Sequence, residues 1–67
     1  MDIKAEVGET AGKIWHLLER EGPQTLAQAK KKLNLTGDLL DFAVGWLARE
    51  GKVDIVRDKK GFRVRLK

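Results

Sequence analysis

The sequence predicts an α+β fold of three helices followed by a C-terminal antiparallel hairpin, with a short extended segment after the first helix. Three observations carry this. Apolar residues recur at helical spacing in three successive stretches. Glycine, proline and capping residues separate those stretches. The C-terminal part alternates apolar and polar residues on both sides of the charged turn Asp58-Lys59-Lys60-Gly61.

In the first helix, Val7, Ala11, Ile14, Leu17 and Leu18 share one stripe. The helix is expected from about Glu6 to Glu21, with acidic residues in the first turn, where they favour the dipole. Gly22-Pro23 ends it, because glycine accepts the left-handed cap and proline cannot continue a helix. Gln24-Thr25 is then a short extended bridge able to add one ladder pair to a small sheet. Thr25 and Gln28 have capping-box spacing, in which hydroxyl and amide satisfy each other's backbone N–H groups. The second helix covers about Leu26 to Leu33, with Leu26, Ala29 and Leu33 inward and the lysines mostly outward.

Asn34-Leu35 forms a tight turn, and Thr36 is expected to cap the third helix. That helix runs to about Glu50, with Leu40, Ala43, Val44 and Leu47 as its core stripe, and Gly51 closes it. Val53, Ile55 and Arg57 alternate with polar neighbours. Phe62, Val64 and Leu66 alternate with Arg63, Arg65 and Lys67. Period-two alternation around a glycine-containing turn predicts a hairpin with one wet, basic face.

Sixty-seven residues are expected to form one domain, residues 1–67. A chain of this size buries only about 60% of its unfolded surface, so its core is thin. There is no cysteine, hence no disulfide and no thiolate. The start, Met1-Asp2-Ile3-Lys4, lacks a basic region followed by an apolar run, and unbroken apolar stretches are short. No signal peptide and no membrane span is expected, and a cytoplasmic location is the simplest expectation. The net charge is +4. It is concentrated in Lys30, Lys31 and Lys32 and in residues 52–67, which carry seven basic and two acidic side chains, whereas residues 36–51 carry one basic and three acidic ones.

The order helix, short strand, helix, turn, helix, hairpin resembles the winged helix-turn-helix superfamily over nearly the whole chain. Leu47-Ala48-Arg49-Glu50-Gly51-Lys52-Val53 is similar to the leucine, two variable residues, glutamate, glycine and strand that end the recognition helix in many such domains. Gly8-Glu9-Thr10-Ala11-Gly12-Lys13-Ile14-Trp15 and Ala43-Val44-Gly45-Trp46-Leu47-Ala48-Arg49-Glu50 resemble, more narrowly, a small stand-alone prokaryotic winged-helix family of unknown function. The resemblance implies a homodimer as one assembly to test. It implies no substrate and no catalytic residue.

Two candidate surfaces follow. Lys30, Lys31, Lys32, Arg57, Lys59, Lys60, Arg63 and Arg65 are candidate phosphate contacts for DNA bound with little sequence specificity. The plainer account of the same residues is a solvated face whose charges block sheet-edge aggregation. In DNA-binding relatives the third helix enters the major groove. The matching positions here are Gly37, Asp38, Leu39, Asp41, Phe42, Gly45 and Trp46, none of them a good reader of base edges. Leu39, Phe42 and Trp46 instead form a second apolar stripe beside the core stripe. With Gly45 and Arg49 they make a candidate protein interface, for a partner or a second copy. The alternative is that Phe42 and Trp46 pack under Ile3 and Val7 and widen the core.

No catalytic set, metal site, cofactor or small-molecule substrate is expected. The segment Gly8 to Ile14 hints at a phosphate loop but lacks four residues between its glycines and the hydroxyl after Lys13. His16, the only histidine, lies opposite the core stripe without an evident base, nucleophile or metal partner.

Overall fold

Asp2 opens the first helix. The computed structural model describes residues 2–35, 38–59 and 61–67. Its helix α1 (Ile3–Glu21) starts a turn earlier than the apolar stripe predicts. The cause is a cap: the Asp2 carboxylate accepts a hydrogen bond from the Lys4 N–H at 3.0 Å. The helix ends where expected, with the Gly22 N–H bonded to the Leu18 carbonyl at 2.9 Å.

Strand β1 (Gln24–Thr25) and helix α2 (Leu26–Leu33) match the sequence reading. The capping box is formed. The Gln28 N–H donates to Thr25 Oγ1 at 3.1 Å, and the Thr25 N–H donates to Gln28 Oε1 at 2.9 Å. At the other end Asn34 takes a left-handed conformation, φ 54°. The Asn34 N–H then reaches the Lys31 carbonyl at 3.3 Å and the Leu35 N–H reaches the Lys30 carbonyl at 3.0 Å, the crossed pair of a Schellman stop.

Helix α3 (Leu39–Arg49) follows. Thr36, expected to cap it, lies outside the described residues. Asp38 stands at the cap position without a side-chain capping bond. The helix stops by the same crossed pair as α2: Gly51 N–H to Ala48 O at 3.1 Å and Lys52 N–H to Leu47 O at 3.0 Å. Gly51 sits at φ 73°, where a side chain would be strained, so the reversal from α3 into the hairpin depends on glycine.

Strands β2 (Val53–Asp58) and β3 (Gly61–Leu66) pair antiparallel, and β1 adds to the other side of β3, giving the order β1-β3-β2. The register sets Val53 opposite Leu66, Ile55 opposite Val64 and Arg57 opposite Phe62, so the predicted inner row is correct. Only the base of that row is buried. Val53 and Val64 are sealed and Leu66 is half-buried, but Ile55 and Phe62 are exposed. The hairpin runs past the edge of the helical layer, and its outer half is a projecting wing.

The core joins Ala11, Ile14, Leu17 and Leu18 of α1, Ala29 of α2, Leu40, Ala43, Val44 and Leu47 of α3, and Val53 and Val64 of the sheet. Val7, Leu26 and Leu33 pack against it from its margin. Gln24 is buried in the short strand. Its Nε2 donates to the Gly22 carbonyl at 3.4 Å, while its Oε1 has no partner among the described residues.

Leu17 is 1% exposed. Leu17→Ala is expected to lower the unfolding free energy by about 3 kcal/mol, through lost burial and a cavity. Urea unfolding followed by circular dichroism measures this, and a loss near zero would contradict the core assignment. Thr25→Ala removes half of the capping box and should cost about 1 kcal/mol by the same assay.

Candidate functional site

The wing is less uniformly basic than its alternation predicts. Its outward row carries Asp54, Val56 and Asp58 on β2 and Arg63 and Arg65 on β3. Asp54 is directly opposite Arg65, and their charged groups approach to 3.8 Å. Asp58 is diagonal to Arg63, at 3.6 Å. Cross-strand opposite charges of this kind steady a hairpin modestly. They also engage two of the expected phosphate contacts within the protomer. Arg57 differs, since its guanidinium lies 5.3 Å from the centroid of the Phe62 ring, a cation–π contact that leaves its donors available to an anion. Lys59 is exposed at the turn. Lys60 lies outside the described residues.

On α2 the three lysines also divide. Lys30 and Lys31 are exposed and form no ion pair among the described residues. Lys32 reaches back to α1, with Nζ 2.7 Å from Glu21 Oε1. That hydrogen bond is the main reason the Glu21 carboxyl is held below its ordinary range; Arg20, whose Nη2 is 3.3 Å from Glu21 Oε2, adds to it. Of the eight candidate phosphate contacts, Lys30, Lys31, Arg57 and Lys59 are thus described and unengaged by a carboxylate.

Helix α3 turns Leu40, Ala43, Val44 and Leu47 to the core and Asp38, Asp41, Phe42, Gly45, Trp46 and Arg49 outward. Phe42 is 55% exposed and Trp46 49%. The placement of both under Ile3 and Val7 does not hold. Trp46 borders a shallow recess with Ile3, Lys4 and Val7, but Ile3 is itself 55% exposed and Phe42 lies outside that recess. Leu39 is half-buried. The reason is geometric: α1 lies across one flank of α3, and among the described residues no other element covers the far side. Gly37, one of the positions matched to base-reading relatives, lies outside the described residues.

Gly45 is in the middle of this outward face. A Cβ built there meets nothing within 4 Å, so the packing of the protomer does not require glycine. In a helix interior glycine costs about 1 kcal/mol relative to alanine.

A larger groove, which the sequence reading missed, runs between α1 and the end of α3. It holds about 640 Å³ and is bordered by Gly8, Gly12, Trp15, Trp46 and Gly51. The signal was present in the spacing Gly8, Gly12, Trp15, which sets all three on one flank of α1. The phosphate-loop-like segment lies within α1, not in a loop after a strand. His16 has neighbours after all: its Nδ1 is 3.7 Å from Glu19 Oε1, and its ring meets Trp15 edge to face at 5.4 Å. Among the described residues no three metal-ligating side chains gather, and no helix is long and apolar enough to cross a membrane.

Three helices and a three-stranded antiparallel sheet, with β1 between α1 and α2 and a projecting C-terminal hairpin, constitute a winged helix-turn-helix. The family described as winged helix-turn-helix domain DUF2582 matches residues 1–66. The chain belongs to this family. It is similar to protein MJ1608 of Methanocaldococcus jannaschii, itself described as uncharacterized, with 44% identity over 98% of this chain and 97% of that one. It is also similar to the solution structure of protein BT2368 from Bacteroides thetaiotaomicron. The two are 38% identical with a TM-score of 0.82, over 94% of this chain and 77% of the other. The family assignment supports the winged-helix architecture; the chemistry of the two surfaces rests on this chain's own residues.

Because its folded pKa is depressed, Glu21 contributes stability above the ordinary carboxylate range that is lost as pH falls through the depressed value. Lys32→Ala is expected to raise the Glu21 pKa toward the ordinary glutamate value, read by carbon-detected NMR titration. An unchanged titration would contradict the Lys32–Glu21 contact.

Proposed function

We propose that this chain is a non-enzymatic binding module that grips nucleic-acid backbone through its wing and α2, with little selection among base sequences. The observation that carries this reading is the set of exposed cations, Arg57 and Lys59 on the projecting hairpin and Lys30 and Lys31 on α2, that no carboxylate engages among the described residues. Phosphate contacts position a protein without reading bases. Helix α3, which reads bases in DNA-binding winged helices, supports the low-specificity part: Asp38 and Asp41 repel phosphates, while Phe42, Gly45 and Trp46 offer no base-edge donor pair.

A second reading concerns the same chain's assembly. Phe42 and Trp46 expose about half of their surface side by side on one helix face, and exposed aromatic clusters mark interaction sites. We infer that this face mediates self-association. It is compatible with backbone binding, because the wing and the outward face of α3 are different surfaces.

Fluorescence anisotropy with duplex DNA in stepped salt tests the first reading. Four neutralised phosphates give a slope of log K against log salt of roughly −3.6. Arg57→Glu with Lys31→Glu should weaken binding about equally for unrelated sequences. Absence of binding at low salt, or binding those substitutions leave unchanged, would contradict it. The second reading is checked by sizing Trp46→Ala beside the wild type over a concentration series, with association expected only in the wild type.

A further inference from the structure

We propose that α3 packs against α3 of a second copy, antiparallel and crossing at Gly45. The proposal rests on the self-association reading and adds to it a partner, an orientation and a register.

The charge pattern of the outward face supplies the orientation. Asp38 and Asp41 stand at the N-terminal end, and Arg49 and then Lys52 at the C-terminal end. All four are exposed and form no ion pair among the described residues. Other surface carboxylates do meet cations within the protomer, as Asp54 meets Arg65 and Glu21 meets Lys32. Asp41 and Arg49 are equally distant from Gly45, about 6 Å along the axis on either side. A two-fold axis through Gly45 therefore brings Asp41 level with Arg49 of the second copy, twice over. A parallel pairing would instead set acid beside acid. The surface is self-complementary in one orientation only, as an isologous contact requires.

The crossing point fits as well. Glycine at position 45 is unexplained by the packing of one protomer. At the centre of a helix crossing it lets two backbones approach at the short end of the usual 8–10 Å range. Phe42 and Trp46 then close over the partner helix from either side of the axis. A standard interface buries about 800 Å² per partner, roughly a sixth of the 4875 Å² that this protomer exposes. An α3 of three turns, extended by Ile3 beside Trp46, is a small contact surface. The dimer is therefore reversible and concentration-dependent, and salt weakens it by screening its rim of charges.

Sedimentation equilibrium of the full chain at low salt tests the proposal, using the wild type, Trp46→Ala, Asp41→Arg, Arg49→Asp and the double variant Asp41→Arg/Arg49→Asp. Positions 41 and 49 are exposed, and circular dichroism verifies that each variant keeps its fold. Each single charge reversal should weaken the dimer about tenfold or more, since it sets like charges opposite each other twice. The double reversal should restore it to within a few-fold of wild type. Dissociation by Trp46→Ala with no effect of the charge reversals would leave self-association standing and overturn the antiparallel crossing. A wild type that stays monomeric throughout would overturn both, and would leave the face to a different protein.

Discussion

The packing of α1 across α3 is the constraint on which the rest of the molecule depends. Ile14, Leu17 and Leu18 meet Leu40, Ala43, Val44 and Leu47, and this contact takes one face of α3 completely. A domain of this size has no further layer to lay over the opposite face. Burial of apolar surface is worth about 25 cal/mol per Å², so leaving Phe42 and Trp46 half in water forgoes stability that a small domain can ill spare. The side chains on that face are therefore better understood through what they meet outside the protomer than through its core.

Electrostatics divides the surface into two kinds of region. On the wing, Asp54 and Asp58 answer Arg65 and Arg63, and on the helical layer Glu21 answers Lys32. These exposed pairs add little stability each, but they decide which cations remain for a ligand. On the outward face of α3, Asp38 and Asp41 stand at one end and Arg49 at the other, and none of the three forms an ion pair among the described residues. If two copies meet there, both wings remain outside the contact. A backbone-binding surface present twice on one particle gains avidity without any new contact to the nucleic acid.

Much of the architecture was legible in the sequence, because the local signals agree with one another. Thr25 with Gln28, Asn34, and Gly51 each specify a helix boundary through a backbone group that they satisfy or a conformation that they permit. The core stripe of α3 follows from helical period alone. The start of α1 was misread because Asp2 and Ile3 precede the apolar repeat, and a cap outweighs periodicity over a single turn. The wing was harder. Alternation identifies which residues share a face, but not how far the hairpin extends beyond the helices, so the exposure of Ile55 and Phe62 could not be read from it. Nor does alternation give register, and only register reveals that Asp54 faces Arg65 and that Asp58 lies diagonal to Arg63. The character of α3 was visible as an acidic, apolar and glycine-containing sequence, whereas the exposure of Phe42 and Trp46 depended on where α1 came to rest.

The central claim is that the outward face of α3 is free in one protomer and is covered by another. A dilution series of two-dimensional ¹H–¹⁵N NMR spectra tests it most directly, since each amide reports its own surroundings. Amide shifts of Phe42, Gly45, Trp46 and Arg49, with the Trp46 indole, should move with concentration while those of Arg57 to Arg65 stay fixed. Shifts that are constant at every concentration, or that move only along the free edge of β2, would contradict it.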